Sequence, residues 1–187
     1  MTTFYSDHYS ADQGATGHFT TLVSPFKTVA VGKKHGRLRR SACYLTVPSG
    51  QDLADDDVIR FMDFKSSDRL VELLFSMDAN WGATTTFNVG LYLKGSADDG
   101  AVVDEDLFGS AIDWSGAIAR VDYFTEAGTL DNWDRGKTLW ELAAIGAASY
   151  TEDPQTTFTL TAQCSQNISA TAAAVEMLVE AYYVSGD

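Results

Sequence analysis

The chain has 187 residues, 45% of them hydrophobic and 12% aromatic, which is enough to bury a real core and excludes a wholly disordered chain. Its formal net charge of −13 opposes the phosphate backbone of a nucleic acid and an anionic lipid surface. No apolar run approaches the ~18–20 residues that span a bilayer as a helix, and the length fits one domain.

The charge is unevenly spread. Over residues 1–40 six basic groups (Lys27, Lys33, Lys34, Arg37, Arg39, Arg40) stand against Asp7 and Asp12, a balance of +4, while the remaining seven basic and 24 acidic residues give −17. A basic segment on an acidic body is a candidate docking patch for an acidic partner, formed by Lys33, Lys34, Arg37, Arg39 and Arg40. Residues 1–18 are polar and hold no period, which predicts an extended arm. Its aromatics Phe4, Tyr5 and Tyr9 are candidate anchors on a partner. The opening MTTFYSDHYSADQG lacks the basic and apolar regions of a secretory signal, so the expectation is a protein made and used without that export route.

Strand signals begin at Phe19, with FTTLV and FKTVAV either side of Ser24-Pro25, and KKHG is a turn candidate. RLRRSACYLTV then alternates, Arg37, Arg39, Ser41, Cys43, Leu45 and Val47 on one face and Leu38, Arg40, Ala42, Tyr44 and Thr46 on the other. VIRFMDF and RLVELLFSM follow, separated by the turn KSSD. A helix can be drawn through the second, but turns at about ten-residue spacing favour a strand. Phe87, Val89, Leu91 and Leu93 form the buried face of a further strand, which leads into an acidic, solvated loop over residues 98–106. Residues 107–114 are expected as a short helix or 3₁₀ turn capped by Asp104 or Asp106. Residues 117–125 and 137–145 fit helix or strand equally. Two strongly alternating segments, residues 156–165 and 172–184, are expected to close the chain as a hairpin. The fold class that follows is all-β: an antiparallel two-sheet sandwich, jelly-roll-like, with an arm over residues 1–18, a single domain over residues 19–187 and at most one or two short helices.

Tests for chemistry give little. Neither Asp98-Asp99-Gly100 nor the stretch from Asp131 to Gly136 has the ligand spacing of an EF-hand, and Asp104 and Asp106 with a distant carboxylate are the remaining calcium candidates. Cys43, Cys164 and the scattered His8, His18 and His35 lack zinc spacing, and the two cysteines read as reduced thiols acting as small hydrophobes. There is no G-x-S-x-G and no phosphate-binding glycine loop. The expectation is therefore no catalytic residue, no cofactor and no metal. Of the tryptophans, Trp81, Trp114, Trp133 and Trp140, none is spaced to share an exposed face, so core and turn packing are expected rather than a sugar platform.

GRLRRSACYLTVPSG, DDDVIRFMDFKSSDRL, FNVGLYLKG with DEDLFGSA, and GKTLWEL together resemble the head decoration (cement) proteins of tailed bacteriophages, over roughly residues 36–142. The resemblance lies in overall pattern and carries no site residue over. It implies a β-rich protein, often a homotrimer, that binds the major capsid protein on the capsid exterior and clamps neighbouring capsomers, with no cofactor, nucleic acid or membrane partner. A glycan-binding or fibre-associated module of a phage particle is the alternative.

Overall fold

The computed structural model describes residues 37–50, 53–82, 85–94, 101–167 and 174–186. The expected arm, the strands between Phe19 and Gly32, and the site candidates Phe4, Tyr5, Tyr9, Lys33 and Lys34 lie outside them, as does the tip of the acidic loop at Asp98 and Asp99.

Among the described residues eight strands and one helix follow in order: β1 Leu38–Val47, β2 Val58–Lys65, β3 Arg69–Met77, β4 Thr86–Leu93, β5 Val102–Asp113, β6 Ile118–Asp122, α1 Leu139–Ile145, β7 Thr157–Cys164 and β8 Val175–Val184. They form two four-stranded sheets, β1-β8-β3-β6 and β2-β7-β4-β5, and every described pairing is antiparallel. β1 pairs with β8, β2 with β7, β3 with β6 and β4 with β5. The topology is thus one long hairpin folded over on itself, with the β4–β5 connection at its closed end. Pairing of β3 with β8 and of β4 with β7 locks the fold-over. This is the double Greek key of a jelly roll, as the alternating strands predict.

The core lies between the sheets and is built from the faces that alternation picks out. Phe87, Val89 and Leu91 of β4 and Phe158, Leu160, Ala162 and Cys164 of β7 meet Leu73, Phe75 and Met77 of β3 and Val175, Met177, Val179 and Ala181 of β8, all fully or nearly fully buried. Trp81 and Trp114 close one end of the sandwich: Trp114 packs on Phe87 with ring centroids 4.2 Å apart, and Trp81 on Phe87 at 5.2 Å. Cys43 and Cys164 are free thiols.

Four expectations are corrected. Residues 107–114 are no helix: residues 107–113 are the C-terminal half of β5, which already starts at Val102, and Trp114 follows its end. β5 slips repeatedly against β4, so that Val89 faces Gly109 and Leu91 faces Asp104, leaving Gly90 alone opposite residues 105–108. Bulges of this kind break the period of two on which strand reading depends. The acidic segment is correspondingly not a solvated loop over residues 102–106: Asp104 is 5% exposed, and its Oδ2 accepts the Ala147 N–H at 2.8 Å beyond the end of α1. Burial pushes its carboxyl pKa up, and the adjacent Asp106 carboxylate adds to the rise. Third, β7 and β8 are not a hairpin. β7 is central in one sheet and β8 in the other, because each has a fully apolar inner face and packs best opposite the other across the core. Fourth, Trp133 is not a packing residue; it is 90% exposed.

The two ambiguous segments resolve differently. Residues 118–122 pair as β6, whereas Leu139–Ile145 is helical. Glu141 sets the helix start, its Oε2 accepting both the backbone N–H (2.8 Å) and the hydroxyl (2.7 Å) of Thr138. Leu139, Leu142 and Ala143 turn inward.

Candidate functional site

The first sheet turns one face to the core and one outward. Cross-strand register places Arg40 beside Tyr182, Ala42 beside Glu180, Tyr44 beside Leu178 and Thr46 beside Glu176 on the outer face, with Glu72, Leu74 and Ser76 of β3 continuing these rows. Among the described strands β1 lies at the edge of its sheet, and Leu38 and Tyr44 on it are 63% and 62% exposed. An edge strand with large exposed side chains is a surface suited to another protein chain.

Across this face runs an Arg–Glu–Arg bridge. Glu180 in central β8 is almost buried. The Arg40 guanidinium meets its Oε1 through Nε at 2.8 Å and Nη2 at 2.7 Å, and Arg120 Nε reaches Oε2 at 3.3 Å from β6, across β3. Simple alternation would point Arg120 inward, since Ile118 opposes Met77. Arg120 instead adopts φ 53° where the β3–β6 register slips. That bulge turns its side chain out. The Arg40 hydrogen bond, then that from Arg120, holds the Glu180 carboxyl below the usual carboxylate range. A carboxylate with a depressed folded pKa stabilises above its unfolded pKa, and the stabilisation is lost as pH falls through the folded value. Glu180→Gln is therefore expected to lower the thermal midpoint modestly at pH 7 and to leave it unchanged well below pH 4, where both proteins carry a neutral side chain. Thermal unfolding followed by circular dichroism at both pH values checks this; an equal deficit at low pH would assign the effect to packing.

Of the predicted site residues, Arg37, Arg39 and Arg40 are described and all three are exposed. The fold does not gather them on one face. Arg40 is engaged with Glu180 on the outer side, while Arg39 opposes Tyr183 and projects from the other side of the edge strand. Among the described residues no three His, Cys, Asp or Glu converge as metal ligands.

Two features of the surface escape sequence reasoning. A cavity of about 280 Å³ opens at the far end of the outer face, where the row Tyr44–Leu178–Ser76 ends in a small side chain and Met77 and Ile118 supply apolar walls. Glu176 and Asp78 stand at its edge. The Tyr44 hydroxyl bonds to Glu176, which pushes the tyrosine pKa up. The second feature is the loop that carries Trp133. Asp131 Oδ1 accepts the Trp133 N–H at 2.7 Å, Asp134 Oδ2 accepts the Asp131 N–H at 2.9 Å, and Lys137 Nζ sits 2.6 Å from Asp134 Oδ1. Arg135 nails the loop down: it donates to Asn132 Oδ1 at 2.9 Å and to the Val71 carbonyl, pairs with Asp122 at 2.8 Å, and lies 4.6 Å from the centre of the Phe124 ring. Asp131-Asn132-Trp133-Asp134 with Gly136 at φ 84° has the side-chain-capped turn chemistry that would have flagged a rigid tip.

No family model matches the chain, and no curated protein matches it. Among solved structures it is similar to a chain of the cyanophage Pam1 capsid asymmetric unit, with 13% identity over 89% of this chain and 98% of that one and a TM-score of 0.46. It is also similar to a chain of the capsid of Ralstonia phage GP4, with 17% identity over 80% of this chain and 86% of that one and a TM-score of 0.49.

Proposed function

We propose that this chain is a structural protein of a phage virion, without a catalytic centre, that binds the outer surface of the capsid through the major capsid protein and holds neighbouring capsomers together. It is made in the host cytoplasm and acts as a homotrimer. The reading is supported by the resemblance of residues 36–142 to decoration proteins, and one observation carries it into space: exposed edge strand β1, with Leu38 and Tyr44 outward and Arg37 and Arg39 unburied, lies within the stretch that carries the resemblance. The basic residues Lys33, Lys34, Arg37 and Arg39 steer docking onto an acidic capsid surface. The arm, with Phe4, Tyr5 and Tyr9, gains affinity by ordering on a neighbour, and many such contacts on a shell add through multivalency.

Co-sedimentation with capsids lacking this protein tests the reading. Reversing Lys33, Lys34 and Arg37 to Glu is expected to weaken docking by about tenfold or more at low salt, with a smaller difference at high salt. Removing residues 2–17 is expected to weaken it independently of salt. Unaltered binding of both variants would retire the patch and the arm, and failure of the intact protein to sediment would retire the capsid assignment. A glycan-binding role is the second reading, favoured by the exposed ring of Trp133, and a glycan array distinguishes the two.

A further inference from the structure

Trp133 combines two properties that rarely coincide by accident. It is a large apolar side chain at 90% exposure, and its loop is held in one conformation by the bonds of Asp131, Asp134, Arg135 and Lys137. An exposed tryptophan whose backbone is already fixed has only its side-chain torsions left to lose on docking, which suits a hot-spot anchor. The polar side chains around it are already engaged with one another: Asn132 with Arg135, Asp131 with the Trp133 N–H, Asp134 with Lys137. A sugar platform needs free donors and acceptors beside the ring to read hydroxyls. This surround instead spends much of its polar capacity within the loop, Asp134 on Lys137 and Arg135 on Asp122, as in the solvated polar rim of a protein contact.

The same chain carries a matching recess. The cavity of about 280 Å³ beside Ser76 has apolar walls from Met77, Ile118 and Leu178, a tyrosine edge at Tyr44, and carboxylates at Glu176 and Asp78. It is an open depression that offers apolar surface for an aromatic ring and a carboxylate acceptor for an indole N–H at its rim. Knob and hollow sit at opposite ends of the first sheet. The loop is tied to the start of β3 at Leu70 and Val71 and to the end of β6 at Asp122, whereas the hollow is at Ser76–Asp78 and Ile118, about 16 Å further along β3 at ~3.3 Å per residue.

We propose that Trp133 of one copy inserts into the Tyr44–Ser76–Leu178 hollow of a second copy, with its indole N–H directed to the Glu176 or Asp78 carboxylate. Because donor and acceptor surfaces differ, the contact is head-to-tail and closes into a ring when the rotation per copy permits. The inference deepens the self-association part of the proposed function and names the contact; it does not depend on capsid binding.

Light scattering on the purified full chain over a dilution series tests it. The wild-type protein is expected to exceed the monomer mass and to dissociate on dilution. Trp133→Ala, which empties the knob, and Ser76→Trp, which fills the hollow, are each expected to weaken association by about thirtyfold or more with unchanged circular dichroism. An equimolar mixture of the two variants is expected to form dimers and nothing larger, because only one intact knob–hollow pair survives in it. A wild-type protein that is monomeric throughout, Trp133→Ala associating like wild type, or a mixture of folded variants that stays monomeric would each overturn the proposal. So would quenching of Trp133 fluorescence by a glycan together with unchanged association of Trp133→Ala, which would assign the ring to a sugar. Capsid co-sedimentation is read separately: a wild-type oligomer that ignores capsids retires the capsid reading and leaves this contact standing.

Discussion

Replacing Gly90 with alanine is expected to destabilise the protein by about 3 kcal/mol or more, measured by urea unfolding of the variant against wild type. Gly90 sits in central β4 opposite the point where β5 bulges, and a Cβ built on it would overlap the Asp104 carbonyl oxygen and the Glu105 carbonyl group. Both obstacles are backbone, so no rotamer change relieves them. Either β5 moves away, breaking its pairing and withdrawing Leu107 and Phe108 from the core, or β4 does. Gly116 is the control: a Cβ there meets nothing within 4 Å, and Gly116→Ala is expected to stay within about 0.5 kcal/mol of wild type. Equal behaviour of the two variants would mean that β5 does not cross Gly90 as described.

The second large effect is expected at Trp81, where alanine should cost about 3–5 kcal/mol and phenylalanine less than about 1 kcal/mol. Trp81 is fully buried, packed edge-on to Phe87 and tilted against Trp114, and its backbone N–H donates to the Trp114 carbonyl at 3.2 Å. Truncation leaves a hollow between rings that are themselves fixed by both sheets. Its indole Nε1, however, is buried without an acceptor among the described residues. Phenylalanine keeps most of the ring contacts and removes a donor that is costly to bury unpaired, so two opposed changes nearly cancel. Chemical denaturation of the two variants checks the contrast; a phenylalanine as damaging as alanine would show that the indole nitrogen has a partner.

What was legible in the chain divides along physical lines. Alternation is a local property, and β3, β4, β7 and β8 were readable from it nearly residue by residue. Pairing is not local. The strands β7 and β8 carry the same pattern whether they pair with each other or face each other across a core, so the expected hairpin had no contrary sign in the residues. β5 was hidden because its register slips remove the period. Asp104 was hidden because its burial depends on Gly146 and Ala147, some forty positions later: a Cβ on Gly146 would overlap the Asp104 carboxylate. On the candidate surface, Arg37, Arg39 and Arg40 were visible as charges, but not that one of them is spoken for by Glu180. Trp133 was seen and misjudged, since the bonds that rigidify its loop run to Val71 and Asp122.

Strand order also bears on when the surface comes into being during synthesis. In each sheet a central strand is supplied late: β7 lies between β2 and β4, and β8 between β1 and β3. Until β8 has been made, β1 lacks its one described strand partner, and among the described strands β3 is paired only to short β6. Such distant pairing makes folding slow and leaves unpaired edges exposed meanwhile. The outer face bearing Tyr44, Leu178 and Ser76 then exists only once the translated chain includes β8. Nascent or truncated polypeptides would lack the recess proposed to take a neighbour's tryptophan, so assembly through that contact would discriminate against incomplete chains without any separate proofreading device.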